Sequence, residues 1–210
     1  DGTGSDCVAC HMPPEVYGVM TWHPSHLIRN PDPARAARFD KPDACTLCHT
    51  GRSIRWAAEK TRELWPGHGS SPEGLDASYE LAEVARALQS GDAVYRTLAA
   101  AQLARPPADE GVTKEMLVPL LANALVDPYP NVRRTARLSL VALLGSEKIP
   151  FALAPEAERR ALRRELAGRR LPGRAVHELA PLFDERGLLD GRLILSLEGR
   201  RVELPVSIGE

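Results

Sequence analysis

The sequence predicts a mainly α-helical chain in three parts: an irregular first part, a helical middle part and a short β-structured end. All cysteines, all tryptophans and five of the six histidines lie before residue 70. Beyond it the chain is rich in Ala, Leu and Arg with helical periodicity. A run of chain breakers, Pro-Gly-His-Gly-Ser-Ser-Pro, occupies residues 66–72. We therefore expect boundaries that divide the chain into residues 1–70, 71–170 and 171–210.

The overall composition is that of an ordinary soluble globular protein. The chain has 210 residues, 43% of them hydrophobic, and a formal net charge of −1. This balance gives no reason to expect a nucleic-acid partner. No apolar run reaches the about 18 residues of a transmembrane helix. Because the chain starts at Asp1 without an initiator Met, we expect that a targeting segment was removed or that the chain is part of a longer protein.

The four cysteines form two copies of one motif. Residues 7–11 read Cys-Val-Ala-Cys-His and residues 45–49 read Cys-Thr-Leu-Cys-His. C-x-x-C-H is the signature of covalent c-type haem attachment. Two thiols at this spacing can form thioethers to the two vinyl groups of one haem, and the following His is then held beneath the iron. The motifs predict two haem c groups, with thioethers from Cys7, Cys10, Cys45 and Cys48 and proximal ligands His11 and His49.

Other uses of paired cysteines fit less well. A zinc site usually separates its two C-x-x-C pairs by about 15–20 residues, whereas 34 residues (11–44) separate them here. A disulfide within C-x-x-C closes too small a loop to stabilise much. A thioredoxin-like pair would need a βαβ context, which the pattern lacks.

Haem would also supply the missing core of residues 1–70. This segment lacks strong apolar periodicity and would be marginal alone. Aromatic residues are the expected contacts of the macrocycles, although each could equally belong to an ordinary protein core. These candidates are Tyr17, Trp22, Phe39, Trp56 and Trp65.

Each iron of an electron carrier needs a second axial ligand. The best candidate is His26, and His23 and His68 are alternatives. Any of them could instead be a solvent-facing histidine. Met12 and Met20 are weaker candidates. Bis-histidine ligation would favour a lower potential than His/Met ligation, and an open sixth position would permit ligand binding or catalysis.

The order of these motifs resembles the C-terminal haem region of large bacterial multihaem c-type cytochromes that end in helical repeats. The resemblance rests on residues 7–13, 26–31 and 43–49, followed by Trp-Ala-Ala at 56–58 and Trp-Pro-Gly at 65–67. It implies that His26 is a distal ligand and that the chain belongs to an exported redox system. That family has further haem motifs upstream, and His23 and His68 have no clear counterpart in it. A sixth ligand from His23, His68 or another chain therefore stays open.

The middle part is expected to be a series of short helices. Ser53 would begin a helix over residues 53–66, and Asp76, Asp92 and Thr113 would begin the next three. A fifth would close at Gly145, and an Arg-rich sixth, read as a solvated face, would cover residues 155–167. The segment from Asp127 to Ala136 resembles the turn between helices of a HEAT-type repeat, whose units span roughly 40 residues. Such a segment could be a docking surface or a helical cap.

The end of the chain changes character. Two apolar-rich runs, residues 192–197 and 201–206, flank the turn Glu-Gly-Arg, which predicts a β-hairpin with an edge that could pair with another chain. The predicted fold is thus mainly α, with a haem-cored dihaem cytochrome c segment, a HEAT-like helical segment and a C-terminal hairpin.

The predicted function is electron transfer in an extracytoplasmic redox chain, in the periplasm or at the cell surface. The expected partners are other cytochromes, in a homo-oligomer or a larger multihaem assembly. No catalytic residue is predicted. The alternative is a multihaem reductase or peroxidase with one open haem site.

Overall fold

The structure is a computed structural model that describes residues 7–17, 21–145, 149, 153–201 and 203. It is mainly helical, with one small antiparallel sheet. The helices and strands are, in chain order, α1 (Cys7–His11), β1 (Pro14–Tyr17), β2 (Thr21–Pro24), α2 (Pro33–Arg38), α3 (Ile54–Leu64), α4 (Glu83–Ser90), α5 (Ala93–Gln102), α6 (Lys114–Asn123), α7 (Pro130–Leu144), α8 (Glu156–Ala167) and α9 (Gly191–Glu198). Short 3-10 helices cover Ala77–Glu80, Ala124–Val126 and His177–Leu182.

Side-chain caps set several helix starts. Ser53 accepts a hydrogen bond from the Trp56 amide at the start of α3. Asp92 does the same for the Tyr95 amide at the start of α5. These bonds satisfy amides that have no partner within the helix. Both starts were predicted and are confirmed, as is the end of α7 at Gly145, whose φ of 62° is the left-handed conformation that favours glycine.

The helix expected to run from Asp76 to Ser90 is interrupted. Asp76 caps only the 3-10 helix Ala77–Glu80, and Leu81 is extended before α4 begins. The reason is long-range pairing: the Ala82 amide donates to the Glu178 carbonyl, and the Glu83 amide donates to the Arg52 carbonyl. Those bonds require an extended backbone at this point.

One apolar core extends over the second and third parts of the chain. Helix α5 packs on α4 and α7, α6 packs on α7 and α8, and α9 packs on α4. Leu88, Leu120 and Leu140 lie in this core, and so do Leu179 and Leu197 from the end of the chain. Residues 171–201 therefore pack on the same core as residues 81–144.

The predicted C-terminal hairpin is wrong in its first strand, because residues 191–198 form helix α9. Asp190 accepts hydrogen bonds from the Arg192 and Leu193 amides, which begins a helix. Ile194 and Leu197 are three residues apart and both buried, whereas Leu195 is exposed. The apolar run therefore follows the helical period rather than strand alternation. Most of the second predicted strand (202 and 204–206) lies outside the described residues.

The first part contains a hairpin that was not foreseen, and little apolar interior. β1 pairs with β2 in antiparallel register, with Glu15 opposite His23. The buried hydrophobic residues described in this part are Ala34, Ala37, Ala44, Leu47, Ile54, Ala57 and Ala58. Five of these seven are alanine, and none belongs to the main core cluster.

Candidate functional site

The first Cys-x-x-Cys-His segment is helix α1, which lies at the surface. None of its residues is buried, and Cys7 and Cys10 are both exposed. Both cysteines of the first motif therefore lie at the protein surface. None of the four cysteines is paired in a disulfide.

The ring of His11 is held from one side. Its Nδ1 lies 2.9 Å from the Arg29 carbonyl oxygen, and the Arg29 amide donates back to the His11 carbonyl at 3.1 Å. Because a carbonyl only accepts hydrogen bonds, Nδ1 carries a proton, and Nε2 is the ring nitrogen left to bind a metal. Histidines that ligate metals are typically oriented by such a bond from the second ring nitrogen.

The second segment, residues 45–49, is a tight turn fixed by Asp43. Its carboxylate accepts hydrogen bonds from the Cys45 and Thr46 amides and from the Thr46 hydroxyl. Burial raises the pKa of Asp43 to about 6. Burial, and then the charge of Asp43, raise the pKa of the Cys45 thiol well above its usual value, so Cys45 is a neutral thiol at physiological pH.

The ring of His49 is also held from one side, but by a carboxylate. Its Nδ1 lies 2.9 Å from Oδ1 of Asp109. Asp109 also accepts from the Gly51 amide at 2.9 Å and from Nε of Arg52 at 3.4 Å. Burial acts to raise the pKa of Asp109, but the bonds from His49 and Gly51 outweigh it, and the pKa lies below its usual value. Like His11, His49 thus presents Nε2 as the atom able to bind a metal.

Sequence reasoning missed Asp109, which lies in the loop between α5 and α6. The Ala108 amide donates to the Cys48 carbonyl, so this loop lies directly against the second motif. Gly51 permits the approach, because a Cβ there would lie 2.7 Å from the Val112 side chain. Nothing in the surrounding sequence distinguishes Asp109 from an ordinary loop aspartate, and only the fold brings it to His49.

The two motifs are neighbours. Cys10 of the first motif lines the same surface cavity as Asp43 and Ala44, which directly precede Cys45 of the second. A surface cavity of about 780 Å³ extends from Cys10 past Asp43 and Ala44. That volume lies within the range of roughly 300–1,000 Å³ typical of small-molecule and cofactor sites.

The cavity combines an apolar surface, cations and one histidine. Its lining includes Phe39, His68 and three cations, Arg29, Arg35 and Lys41. Phe39 is 66% exposed, and Trp65, close in sequence to His68, is 59% exposed. An exposed aromatic residue that lines a cavity, as Phe39 does, is typical of a surface that is covered by an apolar ligand.

The structure separates the three candidate distal ligands. His68 lines the cavity together with Cys10. His26 is exposed on the segment after β2, and His23 is exposed on β2 itself. Neither of these two lines the cavity. Met12 follows α1 directly, and Met20 lies outside the described residues.

The predicted aromatic contacts fall into two groups. Trp22, Phe39 and Trp65 are exposed. Trp56 lies against the second motif, with its ring centroid 5.0 Å from that of His49 and the Arg52 guanidinium on its face. The side chain of Tyr17 is outside the described part.

Within the described ranges, no three His, Cys, Asp or Glu side chains are arranged to hold a metal ion by themselves. A haem iron needs fewer protein ligands, because the porphyrin supplies four and the chain supplies only the axial ones. Two well-oriented histidines, each with two thiols beside it, fit that requirement.

Comparisons of the chain with protein-family models, curated proteins and solved structures return no match. The resemblance to multihaem cytochromes and the HEAT-like character of the helices therefore stay predictions. Among the helices described, none has the length and apolar character needed to span a membrane.

Proposed function

We propose that the chain is a dihaem c-type cytochrome that transfers electrons in an extracytoplasmic redox chain, as a subunit or part of a larger multihaem assembly. Cys7, Cys10 and His11 would hold one haem, and residues 45–49 would hold the other. When bound, haem supplies one-electron chemistry between ferric and ferrous iron. The chain's own residues attach it, orient its axial ligands and set its surroundings.

The observation that carries this proposal is the matched orientation of His11 and His49. Each donates its Nδ1 proton to a fixed acceptor 2.9 Å away. Each therefore leaves Nε2 as the ring nitrogen available to a metal, next to a pair of thiols at haem-attachment spacing. Two separate segments of the chain, in a helix and in a turn, share this arrangement. Two unrelated surface histidines would not be expected to share this orientation.

The thin interior of the first part gives independent support. Its buried apolar residues are mostly alanine, while Phe39 and Trp65 remain exposed. Two covalently attached macrocycles would cover such side chains and add the apolar area that the segment lacks. Arg29, Arg35 and Lys41 line the cavity together with Asp32 and Asp43, and these cations would be the partners for haem propionates.

His68 and His26 are the distal ligands that we propose to test first. His68 shares a cavity with Cys10, whereas His26 is favoured by the resemblance to multihaem cytochromes. Experiment must decide which of the two histidines binds which iron. An iron without a distal ligand would make the chain part of a redox enzyme instead.

The test is an absorption spectrum of the reduced protein, produced in a host with haem-attachment machinery and recorded with and without carbon monoxide. We expect c-type bands that the gas leaves unchanged, because the proposed electron carrier would have two six-coordinate irons. Bands that shift with the gas would favour the enzyme alternative. A protein without haem bands would refute the proposal.

Paired variants assign the bands to the two motifs. C7S/C10S and C45S/C48S should each retain one of the two haems. H177A is the matched control, because His177 lies outside both motifs and donates through Nε2 to the Glu110 carbonyl. It should retain both haems.

A further inference from the structure

We propose that Asp109 makes the haem of the second motif the lower-potential one, so that a single electron shared by the two haems rests on the first motif. This rests on the proposed function. The step is the transfer of one electron from the ferrous iron at His49 to the ferric iron at His11. The iron at His49 would be oxidised and the iron at His11 reduced, with no proton or bond exchanged.

The acceptors of the two proximal histidines differ in charge. His11 donates to the carbonyl of Arg29, which is neutral. His49 donates to the carboxylate of Asp109. A hydrogen bond to an anion is stronger than one to a neutral group and increases electron donation by the imidazole. Oxidised iron carries one more positive charge than reduced iron, so the carboxylate favours the oxidised state.

The charge of Asp109 is poorly screened by solvent. Its side chain is 3% exposed, whereas the His11–Arg29 contact is at the surface. Electrostatic interactions increase as the local dielectric falls. The same formal charge therefore acts more strongly at the second motif than it would at the first.

The other charged groups near Asp109 do not cancel it. Arg52 is the cation in contact, at 3.4 Å, and it is shared with Glu178, also at 3.4 Å. Two carboxylates thus face one guanidinium behind His49. At the first motif the cations are matched by carboxylates: Arg29 pairs with Glu15 at 2.6 Å, and Arg35 and Lys41 line the cavity beside Cys10 together with Asp32 and Asp43. The unmatched carboxylate behind His49 therefore lowers the potential there relative to His11.

Asp109 is positioned independently of any haem. The Gly51 amide donates to its Oδ2, and the Ala108 amide anchors the loop to the Cys48 carbonyl. Asp109 acts through His49 and is a positioning residue. Its role should therefore be visible in a reduction potential.

The experiment is a spectroelectrochemical titration of the holoprotein and of D109N. We expect two one-electron steps, and C45S/C48S should lose the lower one. D109N should move the lower step upward by at least a tenfold change in the oxidised-to-reduced ratio, which is about 59 mV for a one-electron couple. The upper step should stay in place. D109E, which restores a carboxylate, should return the lower step toward its original position.

The control for charge removal alone is D184N, an Asp-to-Asn change in the loop before α9, which should move neither step. An unchanged lower step in D109N with both haems attached would overturn the inference and leave the proposed function intact. Absence of haem from the unmodified protein would instead refute the function. If D109N fails to attach its second haem, the same titration of R52Q tests the proposal instead. Loss of that cation should move the lower step downward, and no movement would overturn the proposal.

Discussion

The chain divides into a region that supplies its own core and a region that does not. Residues 81–197 share one cluster of buried side chains, mostly Leu, Val and Ala, contributed by six α-helices, two 3-10 helices and segments between them. Residues 7–64 contribute mostly buried alanines, while Phe39, Leu64 and other large apolar side chains are exposed. Residues 81–197 are therefore stabilised by their own apolar core, and residues 7–64 are not.

The difference shows where the proposed haems matter for folding. A segment with few buried large side chains cannot offset the conformational entropy lost on ordering it. Covalent macrocycles would add apolar area and cross-link the chain at two points. The helical region needs neither, and it provides Asp109 and Glu178 as fixed contacts for the second motif. It thus acts as a scaffold for half of the site.

The largest expected effect comes from removing the haems. In a variant with all four cysteines changed to Ser, we expect a protease to cleave readily within residues 7–70 and slowly within residues 81–197, because only the second region keeps its core. Limited proteolysis with mass spectrometry of the fragments measures this. Equal resistance of both regions would contradict the comparison.

The scaffold should depend instead on its buried ion pair. Nε of Arg96 lies 2.8 Å from Oδ2 of Asp127, and both side chains are 0% exposed. R96A would leave a buried carboxylate with much of its pairing lost and should cost about 3–5 kcal/mol of unfolding free energy, measured by denaturant titration. The matched control is R160A. Arg160 pairs with Glu156 at the surface, and its loss should cost about 0–1 kcal/mol. Similar losses in the two variants would contradict this assignment.

Apolar packing of the scaffold can be tested on one helix. Leu140 of α7 is fully buried, whereas Leu138 is 46% exposed. L140A should therefore lower the unfolding free energy by about 2–5 kcal/mol, and L138A should change it by about 0.5 kcal/mol or less. Thermal unfolding monitored by circular dichroism distinguishes them. Equal effects would mean that α7 is not packed as described.

The smallest expected effect is a pH dependence in the first region. Burial raises the pKa of Asp43 from 3.8 to about 6, so between these values the folded protein binds a proton that the unfolded chain releases. Stability from this group is therefore greatest at low pH and is lost as pH rises through about 6. D43N should remove that slope. Unfolding titrations of the unmodified protein and D43N at pH 4, 5, 6 and 7 would reveal it, and parallel curves would refute it.

Local signals were enough to predict most helices. Ser53 and Asp92 cap helices in the expected places, and Gly145 ends α7. The prediction of a C-terminal hairpin was wrong because a short run such as Leu-Ile-Leu-Ser-Leu fits both the strand and the helix period. The hydrogen bonds that Asp190 accepts begin a helix there.

The candidate site was predictable only in its covalent part. The spacing of Cys7, Cys10 and His11, repeated at residues 45–49, is a local pattern that the sequence displays directly. Asp109 is sixty residues from His49 along the chain, and their contact depends on how the loop before α6 packs. The grouping of Cys10 with His68 around one cavity is likewise a product of the tertiary fold.

The most direct test of the two-haem proposal is the intact mass of the purified protein together with its haem content by the alkaline pyridine assay. We expect the mass of the polypeptide plus two haems, and two haems per chain that remain attached under denaturing conditions because thioethers hold them. A mass equal to that of the polypeptide alone, with no haem in the assay, would contradict it.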